Sequence, residues 1–433
     1  MIERLQVYLE TRYSILNCLD DRADIATFTF PSHTASVNSL SLDPLQHRFL
    51  LSGSADSSIK LWDLNDSSLM KDDDRIHEID YKPRLKYSPI CVLPQKSVHK
   101  FGVTKVKWWP DNGMWLSSSF DFNINLYDTD SMQIVHSFSL DSRILDFDFN
   151  PMGNSSTVIS CNDGGVGGLK MLDLRTLSDT QNLGGGGKIK GGVGFMSSCA
   201  WSSFDENLCI GGGNDGSCFG WDIRSSDKYL FEFDSNRTSN SIELNQLKKR
   251  KYLTNKAHHA NINSMIFNEN GTELITIGND EKIRVWDMTS DKKPINKGIN
   301  FGPLIRNKTK QHIEMCLSPS LQTEISFLWV PSDSGEILVY RVKDGSLVAR
   351  LNKQNRSIYT ESSTLNDTTK ISNSPDSRRA FSVIAGSVQE PRYFSGGKDG
   401  IISVWGDDTT KLLPTHPIEF NNGIDEPVEI EIW

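Results

Sequence analysis

Two segments of this chain are copies of one pattern. His33 to Asp63 reads HTASVNSLSLDPLQHRFLLSGSADSSIKLWD, and His258 to Asp287 reads HHANINSMIFNENGTELITIGNDEKIRVWD. Each runs from a His through an alternating strand, a turn, a second strand, a Ser or Thr four residues before an Asp, and a third strand ending in Trp-Asp. Alternation at period two means that one face of each strand is buried, and the Asp-containing breaks mark tight turns. Weaker copies end at Tyr127-Asp128, Leu172-Asp173, Trp221-Asp222, Tyr340-Arg341 and Trp405-Gly406, with turn aspartates at Asp121, Asp163, Asp215 and Asp399. With Trp62 and Trp286 the anchors number seven, spaced 45 to 65 residues apart. A four-stranded unit of this kind takes ~40 to 45 residues, so the longer intervals hold insertions.

Seven such units closing radially leave only short, protected edges, which is how a sheet protein of this size avoids edge-to-edge aggregation. Over most of its length the chain resembles the WD-repeat family. The expected fold is all-β: a seven-bladed WD-repeat β-propeller with a short N-terminal helical extension. In that family the His, the Ser or Thr, the Asp and the Trp form a hydrogen-bonded set that ties the inner strands. The resemblance places it here at His33, Ser52, Asp56 and Trp62, and again at His258, Thr276, Asp280 and Trp286. His99, Ser117 and Asp121 match in part, with Tyr127 in place of Trp. A satisfied buried polar network specifies a fold as readily as it performs chemistry, so these residues are read as scaffold.

Outside the repeats the chain changes character. Ile2, Leu5, Leu9, Tyr13, Leu16 and Leu19 recur at three- and four-residue steps, the mark of one apolar stripe on a helix, until Asp20, Asp21 and Asp24 break it. That helix, residues 1–22, has no place inside a closed ring and is read as a partner-docking segment. Alternating Ala26 to Phe30 is placed to supply the outer strand of the last blade and lock the ring, with the propeller over 23–410 and an acidic tail over 411–433. Insertions are expected at 66–87, 235–254 and 353–378, whose polar composition cannot bury enough apolar surface to order itself. In an antiparallel meander, connections between blades share a face with the Asp-bearing turns. The second and third insertions therefore belong to that face and the first to the opposite one. Phe120 and Phe122, at the turn of the second unit, are candidate partner contacts on the Asp-turn face.

Several function classes are excluded by what the sequence lacks. Acidic side chains number 55 against 46 basic ones, a net charge of −9, so a broad grip on nucleic acid is not expected, nor is direct sequence-specific binding. No apolar run reaches the ~18 to 20 residues that span a bilayer, and the N-terminus carries charges where a signal peptide needs an apolar stretch, so neither a membrane nor export is expected. The 7 cysteines are scattered with no CxxC pair, and read as reduced thiols and not as zinc ligands. No HExxH, GxSxG or phosphate-cradling loop occurs; the Gly184 to Gly194 run lacks the Gly-Lys-Ser/Thr ending. The reading is a binding protein, not an enzyme, with no cofactor and no metal.

The second unit narrows the field. Ser97 to Gln133, SVHKFGVTKVKWWPDNGMWLSSSFDFNINLYDTDSMQ, resembles the second blade of the Cockayne syndrome A family, above all at GMWLSSSFD from Gly113 to Asp121. The likeness extends over about residues 30 to 405 and is strongest in units one, two and five. It implies a nuclear substrate receptor of a cullin-RING ubiquitin ligase, acting in transcription-coupled nucleotide excision repair. Such a receptor docks on a damaged-DNA-binding adaptor and has stalled-polymerase repair factors as substrates or partners. Receptors of this type insert an N-terminal helical segment into the adaptor, here Ile2, Leu5, Leu9 and Leu16, and often carry W-D-x-R. Trp221-Asp222-Ile223-Arg224 matches that motif, and Leu172-Asp173-Leu174-Arg175 matches all but the Trp, which makes Asp173, Arg175, Asp222 and Arg224 candidate adaptor contacts. The competing reading is a propeller that assembles a chromatin or other nuclear complex with no ligase. Lys248, Lys249, Arg250 and Lys251 form four consecutive cations on a polar insertion, a pattern suited to nuclear import.

Overall fold

The computed structural model describes residues 28–69, 85–95, 98–151, 156–164, 168–183, 195–225, 228–238, 256–289, 293–320, 323, 325–352, 380–385 and 392–406. All regular elements among them are strands, in seven four-stranded antiparallel sheets. Blade one is Val37–Leu42, Phe49–Ser54, Ile59–Leu69 and Leu85–Leu93; blade two is Val103–Trp108, Met114–Ser119, Asn123–Asp128 and Ile134–Ser139. Blade three is Ile144–Phe149, Thr157–Asn162, Leu169–Asp173 and Ser178–Leu183; blade four is Met196–Trp201, Leu208–Gly213, Cys218–Asp222 and the short Phe231–Glu232. Blade five is Ile262–Phe267, Glu273–Gly278, Lys282–Asp287 and Ile295–Asn296; blade six is Cys316–Leu317, Phe327–Pro331, Glu336–Arg341 and Leu347–Asn352. The molecule is a seven-bladed β-propeller. Among the described residues no helix is long and apolar enough to cross a membrane.

The last blade joins the two ends of the described chain. Ala380–Ala385, Arg392–Gly397 and Ile401–Gly406 supply three strands, and Phe28–Pro31 supplies the outer one, in register Phe28↔Val404, Thr29↔Ser403, Phe30↔Ile402 and Pro31↔Ile401. The expected helix over residues 1–22 lies outside the described residues, as do 353–378 and 411–433. In blade one strand pairing extends into the span read as an insertion at 66–87: Ser67↔Tyr87, Ser68↔Lys86 and Leu69↔Leu85 continue the ladder. Backbone pairing between adjacent antiparallel strands does not require apolar side chains, which is why polar composition missed it.

Apolar residues fill the spaces between blades. Trp62, Trp115, Trp221, Trp286 and Trp329 are fully buried, each in a cluster shared with a neighbouring sheet. The tight turn between second and third strands demands positive φ at one residue, with Gly216 at +87° and Gly400 at +74°. A Cβ on Gly216 would stand 2.1 Å from the carbonyl oxygen of His258, and one on Gly400 2.3 Å from that of His33. Each turn therefore packs directly on the entry of the following blade.

Because the outer strand Phe28–Pro31 supplies a whole ladder to blade seven, deleting residues 1–31 is expected to destabilise the protein by roughly 2 to 4 kcal/mol, from several backbone bonds at ~1 kcal/mol each. Deleting only residues 1–22 is expected to leave the melting temperature nearly unchanged. Calorimetry of the two truncations checks this, and equal losses in both would contradict the closure.

Candidate protein-interaction faces

The repeat network is built in three blades. In blade five, His258 Nε2 lies 2.8 Å from Thr276 Oγ1, Trp286 Nε1 donates to the same hydroxyl at 3.0 Å, and His258 Nδ1 is 2.9 Å from Asp280 Oδ1. An indole only donates and a carboxylate only accepts, so the directions are fixed: Trp286 to Thr276, Thr276 to His258 Nε2, and His258 Nδ1–H to Asp280. Arg284 Nη1 adds a bond to Asp280 at 3.0 Å. Blade one repeats the arrangement with His33 Nε2 to Ser52 at 2.7 Å and Trp62 Nε1 to Ser52 at 2.9 Å, while Asp56 accepts from Thr34 and Ser58. In blade two His99 spans Ser117 (2.7 Å) and Asp121 (3.0 Å), and Tyr127 replaces the indole, its hydroxyl 3.2 Å from Ser117 Oγ and pushed up to about 12 by burial.

The other blades keep the geometry with different chemistry. Blade three has Leu140 where the His would be, its N donating to Phe122 O at 2.8 Å as His258 N does to Gly216 O. Asp163, read from the sequence as the turn aspartate, stands one residue before the turn position, with Arg143 Nε 2.7 Å away. Blade four has Gly211 at the hydroxyl position, and Trp221 Nε1 has no hydrogen-bond partner. Blade seven retains Trp405 Nε1 donating to Ser395 at 2.8 Å. Blade six places Ser334 at the turn position, and Asp333, one residue earlier, accepts from Lys308 N at 2.6 Å and Thr309 Oγ1 at 3.0 Å, as Asp56 does from Thr34. That one-residue slip is why no turn aspartate was read there.

A second set, not read from the sequence, lines the central channel. In six blades the inner strand shifts register after its first residue, at Val37/Ser39, Val103/Lys105, Ile144/Asp146, Met196/Ser198, Ile262/Ser264 and Ala380/Ser382. A bulge re-aims the residue that follows it. Lys105 Nζ then meets Asp146 Oδ1 at 2.7 Å, Asp146 Oδ2 accepts from Cys199 N at 2.9 Å, and His312 Nδ1 stands 3.6 Å from that oxygen. Glu314 accepts from Ser39 Oγ at 2.6 Å, from Leu40 N at 3.1 Å and from Ser382 Oγ. Burial opposes the charge on Lys105, but Asp146 and its neighbours outweigh it and raise the lysine well above its ordinary value, so the pair is ionised. Among the described residues no group of three His, Cys, Asp or Glu side chains could hold a metal ion.

On the face opposite the Asp turns, Arg224 is largely exposed and forks onto Asp222 of its own motif, Nη2 to Oδ2 at 2.6 Å and Nε to Oδ1 at 2.9 Å. Asp173 accepts from Arg175 N at 2.8 Å and from Ser156 Oγ at 3.1 Å, and Arg175 itself is exposed. Phe204, on the turn between the first two strands of blade four, is 81% exposed, and Leu45, Leu177 and Ile325 are exposed on the same face. The sequence reading missed all four, since a lone apolar residue in a turn carries no periodic signal. On the Asp-turn face Phe122 is exposed and Phe120 half-buried. Ile2, Leu5, Leu9 and Leu16 lie outside the described residues, as do Lys248, Lys249, Arg250 and Lys251.

The WD domain, G-beta repeat family matches residues 25–63, 89–128 and 249–287, the three blades that hold the His network. Those three blades are WD repeats. It is similar to Radiation-sensitive protein 28 of Saccharomyces cerevisiae, 26% identical over 267 residues, 59% of this chain and 52% of that one. It is also similar to WD repeat-containing protein ATCSA-1 of Arabidopsis thaliana, 28% over 198 residues, 44% of this chain and 40% of that one. A third relative, Histone acetyltransferase type B subunit 2 of Candida glabrata, is 22% identical over 265 residues, 61% of this chain and 55% of that one. The chain thus spans about half the length of the curated relatives it matches. WD-repeat propellers are typically non-catalytic scaffolds for protein contacts.

Burial holds His33 and His258 below the ordinary imidazole value of 6.5, although Asp56 and Asp280 pull the other way. Burial does the same to His312, with Asp146 pulling up and Lys105 pushing down. The unfolded chain therefore takes up protons that the folded chain refuses, so this stability is present above pH 6.5 and is lost as the pH falls below it. Asp56 and Asp280 are held low by their histidines against the opposing effect of burial, and their contribution is lost only below pH 3.8. Scanning calorimetry is expected to show a melting temperature that declines from about pH 6.5 to about pH 5. A constant value across that range would contradict neutral, buried histidines.

Proposed function

We propose that this protein is the substrate-receptor subunit of a cullin-RING ubiquitin ligase serving transcription-coupled nucleotide excision repair. Support comes from the resemblance of its second blade to the Cockayne syndrome A family and from its similarity to a relative named a radiation-sensitive protein. The observation that carries the reading is the face opposite the Asp turns: Arg224, Arg175 and Phe204 present charge and an exposed aromatic ring together, the composition of a protein interface and not of a solvated turn. On this reading Ile2, Leu5, Leu9 and Leu16, with Asp173, Arg175, Asp222 and Arg224, contact the damaged-DNA-binding adaptor. The Asp-turn face then stays free for repair factors at a stalled polymerase. The protein contributes recognition and no catalysis. A second reading, a scaffold for a chromatin complex without a ligase, is favoured by the likeness to the histone acetyltransferase subunit.

Affinity purification with mass spectrometry separates the two. The first reading expects the adaptor and a cullin in the wild-type eluate, and their loss both from a truncation of residues 1–22 and from Arg224→Glu combined with Phe204→Ala, with folding preserved. Recovery of histone-modifying subunits alone supports the second.

Nuclear residence follows from the same proposal, with Lys248, Lys249, Arg250 and Lys251 as the import signal. Replacing all four by Ala is expected to move a fluorescent fusion to the cytoplasm, and unchanged nuclear accumulation would assign import to a partner.

A further inference from the structure

The connection between blades five and six crosses the central channel. It is anchored first at Asn307, whose side-chain amide exchanges hydrogen bonds with that of Asn263 in blade five at 2.9 and 2.8 Å, both residues being fully buried. Thr309 Oγ1 then donates to Asp333 of blade six at 3.0 Å. Further on the chain turns inward, with Ile313 N donating to Asn263 O at 3.3 Å and Glu314 N to Phe381 O of blade seven at 2.8 Å. The Glu314 carboxylate accepts from Ser39 Oγ and Leu40 N of blade one and from Ser382 Oγ of blade seven. Between these ties His312 reaches blade three, its Nδ1 3.6 Å from Asp146 Oδ2. Residues 307–314 thus form a strap that touches blades five, six, seven, one and three.

The strap ends in a contact that a proton changes. His312 is buried, its side chain 8% exposed, and its Nδ1 has no hydrogen-bond partner among the described residues. The ring also bonds the backbone of Asn263. Three charged groups face it: Asp146 from blade three, Lys105 from blade two and Glu314 from the strap itself. The nearest acid is already engaged, since Asp146 pairs with Lys105 at 2.7 Å and accepts from Cys199 N at 2.9 Å. A proton on Nδ1 places a second cation beside Lys105 in a site shut off from water. Burial is the largest effect and holds His312 below 6.5, with Asp146 and Glu314 opposing it and Lys105 adding to it. A ring withdrawn into water takes up its proton more readily, so by linkage the proton favours withdrawal. We propose that the strap is a proton-sensitive latch on the propeller's seam: protonating His312 draws the strap tip out of the channel and takes Glu314, two residues on, away from blades one and seven. The latch is seated above pH 6.5 and loosens as the pH falls below it.

Hydrogen exchange of the full chain read by mass spectrometry tests this, at about pH 7.5 and about pH 5.5, each rate being divided by the intrinsic rate at that pH. The peptide carrying Ile313 and Glu314 and the peptide carrying Leu40 are expected to lose protection by about five- to tenfold, the range that one buried imidazole supplies over this interval. His312→Gln has no ring to protonate. Its strap peptide is expected to keep the same protection at both pH values, while core peptides of blade five still lose protection through His33 and His258. Lys105→Met removes the competing cation, so Asp146 can pair with a protonated ring, and the loss at the strap is expected to shrink or reverse. An imidazole titration followed by NMR is expected to show His312 titrating at higher pH in Lys105→Met than in wild type. Constant strap protection in wild type overturns the proposal, as does an equal loss in wild type and His312→Gln. If His312→Gln fails to fold, Lys105→Met decides alone: an unchanged loss at the strap there overturns the latch.

Discussion

A propeller exists only if its first and last blades meet, and here two contacts at different radii hold that seam. On the outside, Phe28–Pro31 completes the last sheet. On the inside, Glu314 of the sixth blade's entry reaches the hydroxyl of Ser39 and the amide of Leu40 on blade one together with the hydroxyl of Ser382 on blade seven. A carboxylate accepting several hydrogen bonds in a partly buried site is a strong tie, because charge-assisted bonds are about twice as strong as neutral ones. The same channel carries Lys105, Asp146 and the amide of Cys199, which link blades two, three and four. Closure is thus not left to apolar packing between blades, which is non-directional and could accommodate small rotations.

What was legible in the sequence followed from local chemistry. His33, Ser52, Asp56 and Trp62 stand at spacings that a single blade imposes, so they can be read without knowing what surrounds them. Blades three, four and six preserve the shape of that unit while changing its members: Leu140 for a His, Gly211 for a hydroxyl, and Asp163 and Asp333 each displaced by one residue. A pattern search fails there although the fold does not. The channel charges were illegible for a different reason. Lys105 and Asp146 come from separate strands and His312 and Glu314 from the segment leading into blade six, and only the repeated bulge and the closed ring bring them together.

The same distinction bears on the interaction faces. Arg224 could be read from W-D-x-R, because that motif is contiguous. Phe204 and Leu45 could not, since one exposed apolar side chain in a turn has no periodicity to betray it. Their significance appears only when each is placed on a face by the antiparallel order of the strands, which assigns the turns of every blade to one end or the other. Topology therefore sorts the exposed groups into two sets, one beside the W-D-x-R arginine and one beside the aspartate turns.

Net charge is a poor guide to what such a molecule binds. The chain carries an excess of acid, yet the aspartates of the repeat turns are spent inside the scaffold: they orient histidines, cap backbone amides and pair with arginine or lysine at the blade entries. Because the fold demands an acid or its equivalent at nearly every turn, the acids concentrated on that face are the ones least available to a partner. The sign of a binding face in a repeat protein is therefore not that of the whole chain, because the charges that the repeat itself holds in its turns are already engaged.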